Sequence, residues 1–166
     1  MQIRELNKSD LTLRVKWMNE PAVYSSMHYA IPVLIENTLR WYEKNKDNDS
    51  RSDVVFVEEN EIVAFGGLTS ITPSPRMAEL YLFVAPYSQH KGVGKAATSL
   101  LCEWGFKKLG LEKIYLYTNE DNLPAIAVYE KNGFSLEGRH RQEYLAPDGS
   151  IKDRLYFGLL RSEWVK

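Results

Sequence analysis

The stretch SQHKGVGKAA at 88–97 sets two glycines, Gly92 and Gly94, among two lysines, Lys91 and Lys95. Glycines remove the side chains that would keep a phosphate away from the backbone. A helix starting there adds unpaired N–H groups and the positive end of its dipole. Nucleoside-triphosphate chemistry is excluded: a G-x-x-x-x-G-K-[ST] loop needs glycine where Gln89 stands, and a hydroxyl to ligate magnesium where Ala96 stands. A dinucleotide fingerprint fits Gly92-Val-Gly94-Lys-Ala-Ala97 locally, with Glu120 or Asp121 near the distance of a ribose contact. That fold also requires parallel strands joined by right-handed crossovers, so the neighbouring elements decide.

Ile3 to Leu6 read as a short strand. Ser9 is the expected N-cap of a helix with Leu11, Val15 and Met18 inward, ending before Pro21. Residues 21–33 hold two prolines and no clean period, so they read as an irregular connection. It leads to a second helix with Ile35, Leu39 and Tyr42 inward. DVVFVEE, EIVAFGGLTSI and MAELYLFVAP, separated by short turns, predict an antiparallel meander. Val93, Ala97, Leu100, Leu101 and Trp104 then repeat at helical spacing, predicting a helix that ends near Gly110. KIYLYT at 113–118 is a buried strand. Asn122-Leu-Pro124 opens another helix, with Ala125, Val128, Tyr129 and Asn132 on one face and Gly133 as its stop. FSLEGRHRQEYL and IKDRLYFGLL flank APDGS, the signal of a terminal hairpin. The order β-αα-βββ-α-β-α-ββ surrounds the loop with antiparallel structure, which excludes the dinucleotide fold. An anion cradle at a helix start remains.

The whole chain narrows the partners. At 166 residues, with no repeats or linkers, residues 1–166 are expected to form a single domain. No apolar run reaches 18 residues and MQIRELNKSD lacks the apolar stretch of a signal peptide, so no membrane is expected and the cytoplasm is the expected location. The one cysteine, Cys102, falls in the apolar helical pattern and reads as buried filler rather than a nucleophile. A net charge of −1 argues against nucleic acid, and the basic run Arg139-His140-Arg141 is balanced by Glu137 and Glu143.

Gln89-His90-Lys91-Gly92-Val93-Gly94, directly after a strand, has the Q/R-x-x-G-x-G/A form of the acetyl-CoA loop in the GNAT N-acetyltransferases. The chain resembles that superfamily again in Asn122-Leu-Pro-Ala125-Ile-Ala-Val-Tyr129-Glu-Lys-Asn-Gly133-Phe134, which is similar to N-x-x-A-x-x-x-Y-x-x-x-G-F. The predicted element order is also that of the superfamily, so the resemblance covers nearly the whole chain. WMNEP at 17–21, Glu137-Gly138-Arg139, Gly149-x-x-x-Asp153 and Glu163-Trp164 are similar to the branch holding ribosomal-protein N-terminal and spermidine acetyltransferases.

The resemblance implies a GNAT fold: α/β (α+β), with a mixed, mostly antiparallel sheet of about seven strands and about four helices. It implies an N-acetyltransferase with acetyl-CoA as cosubstrate and no metal. The acceptor would be a primary amine: a protein N-terminus, a polyamine or other small amine, or an amino sugar. A non-catalytic acyl-CoA-binding sensor is the alternative, and pairing of exposed strand edges into a homodimer is a further expectation.

By the same resemblance, the base sits on the strand before the loop, at Glu79, which alternation places on one face with Tyr81 and Phe83. Tyr129 occupies the acid position: a phenol of pKa about 10 can protonate a departing thiolate whose conjugate acid lies near 8.5. Coenzyme contacts are assigned to Phe83 and Val84 through the backbone, to Gln89, His90, Lys91, Gly92, Val93, Gly94 and Lys95 in the loop, and to Asn122 and Tyr129. The connection 21–33 and the hairpin turn 145–150 would border the acceptor, making Trp17, Tyr24, His28, Tyr29 and Tyr144 candidates beside Glu79. His28 is an alternative base.

Overall fold

The computed structural model describes residues 1–89, 91–146 and 148–165. Seven strands, β1 (Gln2–Glu5), β2 (Ser52–Glu58), β3 (Glu61–Thr69), β4 (Met77–Val84), β5 (Lys113–Asn119), β6 (Ser135–Leu145) and β7 (Ile151–Leu160), form one sheet in the order β1-β2-β3-β4-β5-β7-β6. Every neighbouring pair is antiparallel except β4 with β5. The helices are α1 (Leu11–Met18), α2 (Pro21–Tyr24), α3 (Ile35–Asn45), α4 (Val93–Glu103) and α5 (Leu123–Lys131). The expected order and mixed sheet are both present. The one additional helix is α2, a single turn with Pro21 at its start, inside the connection read as irregular.

Ser9 is not an N-cap. It lies inside a 3-10 turn, Lys8–Asp10, that precedes α1. The Asn7 N–H donates to Asp10 Oδ2 at 2.8 Å, and the Asp10 N–H donates to the Asn7 carbonyl at 3.0 Å. Asp10 is itself gripped by Arg4 through two bonds of 2.7 and 2.9 Å, so the buried carboxylate, rather than the serine hydroxyl, organises the helix start.

The alternation of β4 divides the core. Leu80, with Ala97, Leu101, Phe106, Ile114, Leu116 and Phe157, forms the cluster under α4. Phe83, with Leu11, Trp17, Val55 and Phe65, forms the cluster under α1 and α3. Cys102 is buried in the first of these, as expected of a filler. After α4 the chain widens into a π-helical turn, Trp104–Lys108. A Cβ at Gly105 would come within 2.8 Å of Ile114 Cδ1 and 2.9 Å of Leu68 Cδ1, so glycine lets this turn settle onto the sheet.

The cluster under α1 and α3 contains no residue of β5, β6 or β7. On that side Lys113, Tyr115, Tyr117 and Asn119 of β5 alternate with the buried Ile114, Leu116 and Thr118, and Arg154 and Tyr156 of β7 lie beside them. The outer half of the sheet therefore shows a polar, aromatic face.

Candidate active site

The glycine loop stands at the start of α4. Gly92 caps α4 at φ +82°, a left-handed conformation that side chains rarely adopt. Helix geometry leaves the N–H groups of Val93, Gly94 and Lys95 without partners within α4, while Ala96 N–H donates back to the Gly92 carbonyl at 3.2 Å. Gly94 is less constrained: an added Cβ would meet Val84 Cγ2 at 3.7 Å and Val128 Cγ2 at 3.8 Å, ordinary contacts, which suits a position where the motif also admits alanine.

Other loop residues take different roles. The Val93 side chain is buried in the core, so only its backbone is available to a ligand. Gln89 Nε2 donates to the Ala22 carbonyl at 2.9 Å, tying the loop to α2. Lys91 and Lys95 are exposed. His90 lies outside the described residues. A groove of about 580 Å³ leads away from the helix start, lined by Gly92, Lys95, Ala96, Lys131, Asn132 and Trp164 among others. A larger hollow of about 730 Å³ lies near Trp41, Asn48 and Arg76, where none of the motif residues reaches it.

The second feature is an opening in the sheet. Parallel pairing of β4 with β5 runs through Met77–Lys113, Ala78–Ile114 and Glu79–Tyr115, and there it stops. Beyond it the Ala85 N–H donates to the Val63 carbonyl at 2.9 Å, and Phe83 stands opposite Phe65. Strand alternation then turns the backbone groups of Phe83 toward β3, and those of Leu82 and Val84 toward the gap. This corrects the expectation for Phe83: its ring is buried, stacked on Phe65 at 5.5 Å, and its backbone belongs to the β3 ladder. The backbone of Val84, like that of Leu82, faces the gap.

Across the gap, Asn122 caps α5 by accepting from the Ala125 N–H at 3.4 Å. Tyr129, one turn from the end of α5, packs its ring against Phe134 and Phe157, with centroids 6.0 and 6.3 Å apart. Burial pushes its phenol up to about 12, so it stays protonated throughout the physiological range. Among the described residues its hydroxyl has no hydrogen-bond partner. A proton donor is thus held in place without being used by the fold.

Glu79 stands at the closed end of the gap, half-buried on the polar face. Burial raises its carboxyl above the ordinary range, against a smaller opposing pull from Arg154. Tyr115 and Tyr117 border the same carboxylate: both phenols are raised, chiefly by burial, with Glu79 among the charges that add to the effect.

The acceptor candidates separate. Trp17 is 3% exposed and packs edge-on against Phe65 at 5.1 Å, so it is core and cannot meet a substrate. Tyr29 donates to the Met18 carbonyl at 2.9 Å, which fastens the 21–33 connection, and burial raises its phenol to about 12. Tyr24 is half-buried at the end of α2. His28 does reach the face: its Nε2 lies 3.1 Å from Asn119 Oδ1 and its ring 4.1 Å from that of Tyr144. Burial, then Arg154, lowers its pKa and favours the neutral imidazole.

Sequence reading missed Tyr117, Tyr156 and Arg154, and took His140 and Glu143 for a balanced, solvated strand face; the five meet on this face. Tyr117 and Tyr156 lie 5.1 Å apart, and the Arg154 guanidinium sits 4.6 Å from the Tyr117 ring. A wide bulge in β6 brings Glu143 inward: four steps from His140 to Tyr144 span only two from Arg154 to Lys152. Gln142 takes φ +54°, and its N–H donates to Asp153 Oδ1 at 2.8 Å. The available signal was an arginine that heads the apolar run LYFGLL after Lys152 and Asp153.

A model of the acetyltransferase (GNAT) family matches residues 14–134, nearly three quarters of the chain. The chain belongs to the acetyltransferase (GNAT) family. Among curated relatives, it is 33% identical over 124 residues to the spermidine N(1)-acetyltransferase of Escherichia coli K12, an alignment covering 75% of this chain and 66% of that protein, just under two thirds of its length. It is 24% identical over 140 residues to the acetyltransferase PseH of Campylobacter jejuni, covering 84% and 86% of the two chains. The spermidine N-acetyltransferase of Vibrio cholerae, solved with CoA and spermine, superposes with a TM-score of 0.89 over 99% of this chain and 98% of that one at 23% identity, a likeness of fold.

The GNAT match contains Glu79, the glycine loop, Asn122 and Tyr129, and ends before β6 and β7, so the face built by His140, Tyr144, Arg154 and Tyr156 lies outside it. Among the described residues no group of three or more His, Cys, Asp or Glu side chains is placed to hold a metal ion, and no helix is long and apolar enough to cross a membrane.

Proposed function

We propose that residues 1–166 form one acetyltransferase domain that moves the acetyl group of acetyl-CoA to a primary amine by direct attack. The observation that carries this reading is the opening of β4 from β5 directly after the Glu79–Tyr115 pair, with the anion cradle of α4 at one end. The coenzyme's pyrophosphate takes the N–H groups of Val93, Gly94 and Lys95, and its nucleotide end follows the groove past Lys95 and Lys131. The pantetheine arm enters the gap as a substitute strand and pairs with the backbone of Leu82 and Val84.

The thioester then lies between Tyr129 on one side and the polar face on the other. An amine of pKa about 10 arrives protonated, so a base must accept a proton before attack. Glu79 suits that task because its raised pKa brings it closer to neutrality. The C–N bond forms as the C–S bond breaks, the thiolate takes the Tyr129 proton, the amine's second proton returns through water to the tyrosinate, and Glu79 releases the first proton to solvent. One amide and one thiol result. Spermidine, the acceptor named for the E. coli relative, is the first amine to assay.

Purified protein with acetyl-CoA and a panel of amines, followed by thiol release, tests this. The expected result is amine-dependent release of one thiol per acetylated amine. Tight coenzyme binding with no release across the panel would instead identify an acyl-CoA sensor.

A further inference from the structure

The carboxylates around the polar face are paired, where a polyamine would need them free. Its carboxylates are already committed: Glu137 to Lys113, Asp121 to Lys152, and Glu143 to both His140 at 3.0 Å and Arg154 at 3.5 Å. Glu79 has no ion-pair partner among the described residues, but it stands where the reacting amine must be. The further ammonium groups of a polyamine would have to displace a resident cation to reach one of these carboxylates.

Arg154 also has an unused donor. Its Nε is buried without a hydrogen-bond partner among the described residues, although the guanidinium rests 4.6 Å from the Tyr117 ring and its Nη1 faces Glu143. A buried N–H left unpaired is costly, and a carboxylate or phosphate oxygen satisfies it with charge assistance. Stacking on Tyr117 fixes the plane of the guanidinium, which suits the planar fork to an oxyanion. Tyr117 and Tyr156 supply flat apolar walls for the body of such a ligand.

Resting on the acetyltransferase reading, we infer that the acceptor is a primary amine carrying an anionic group, carboxylate or phosphate, which Arg154 binds while the amine meets Glu79. Arg154 is then a specificity-determining residue outside the GNAT match.

Matched pairs that differ only in the anion test this: a dipeptide against its C-terminal amide, and glucosamine 6-phosphate against glucosamine, with spermidine alongside. The wild-type protein is expected to favour the charged member of one pair by about tenfold or more in kcat/KM, and the favoured pair tells carboxylate from phosphate. Arg154→Gln should collapse that ratio toward one by raising KM for the charged member, with the KM for acetyl-CoA unchanged. Arg154→Lys, which keeps the charge, should retain part of the preference. Equal loss for charged and neutral twins, absence of any preference in the wild type, or spermidine as the best acceptor would overturn the inference and leave the acetyltransferase reading standing. Coenzyme binding without thiol release for any amine would overturn both.

Discussion

Glu79 and Tyr115 are the last residues through which β4 and β5 pair, so the candidate base sits at the apex of the opening that would receive the pantetheine arm. Neighbouring backbone positions on β4 consequently have opposite roles. Val84→Pro removes an N–H that faces the gap and should raise the KM for acetyl-CoA about tenfold or more with a small change in Tm. Phe83→Pro removes an N–H of the β3 ladder together with a buried ring and should destabilise the fold by about 3–5 kcal/mol, beyond the loss in Phe83→Ala. Thermal melts and coenzyme titration of both variants would show this exchange of effects, and equal behaviour would refute the assigned alternation.

The two loop glycines should also differ. Gly92→Ala meets no neighbour within 4 Å, so its penalty is the left-handed backbone, about 1–2 kcal/mol. That strain shifts the cradle and should raise the KM for acetyl-CoA about threefold to thirtyfold. Gly94→Ala makes only ordinary contacts and should stay within about threefold of wild type. Steady-state kinetics at saturating amine measures both.

Asp10 gives a pH signature of stability. Burial favours its neutral form, yet the Arg4 hydrogen bonds, the Asn7 N–H and the Arg4 charge outweigh it and lower the carboxyl pKa. A folded pKa below the unfolded one means stabilisation that is present above the ordinary carboxylate value and is lost as pH falls through the folded value. With Arg4 41% exposed in that pair, Asp10→Asn should cost about 1–2 kcal/mol near pH 7. In thermal melts this is a Tm lower by about 2–8 °C, with the difference closing in acid.

Much of this architecture could be read from spacing. The apolar repeat from Val93 to Trp104 and the capped segment Asn122–Gly133 are local patterns, and local patterns give α4, α5 and the loop between β4 and α4. The acceptor face was less legible because it depends on which strands lie side by side. Trp17 looked like a recognition aromatic, but the packing of α1 on Phe65 makes it core. Arg154 becomes informative only once β7 lies beside β5 and the β6 bulge brings Glu143 toward it. Phe83 and Val84 were indistinguishable until the β3–β4 register showed which backbone faces the gap.

Glu79 and Tyr129 are proposed to act on the same thioester from opposite sides of the β4–β5 opening. The most direct measurement is kcat/KM for the best amine against pH in the wild type, Glu79→Gln and Tyr129→Phe, with coenzyme affinity measured in parallel. The wild type should lose activity in acid with an apparent pKa above the ordinary carboxylate range. Glu79→Gln should lack that limb and fall by about 10²–10⁴-fold. Tyr129→Phe should lower the whole profile without moving the limb and without weakening acetyl-CoA binding. Profiles for both variants that coincide with the wild type would contradict the account.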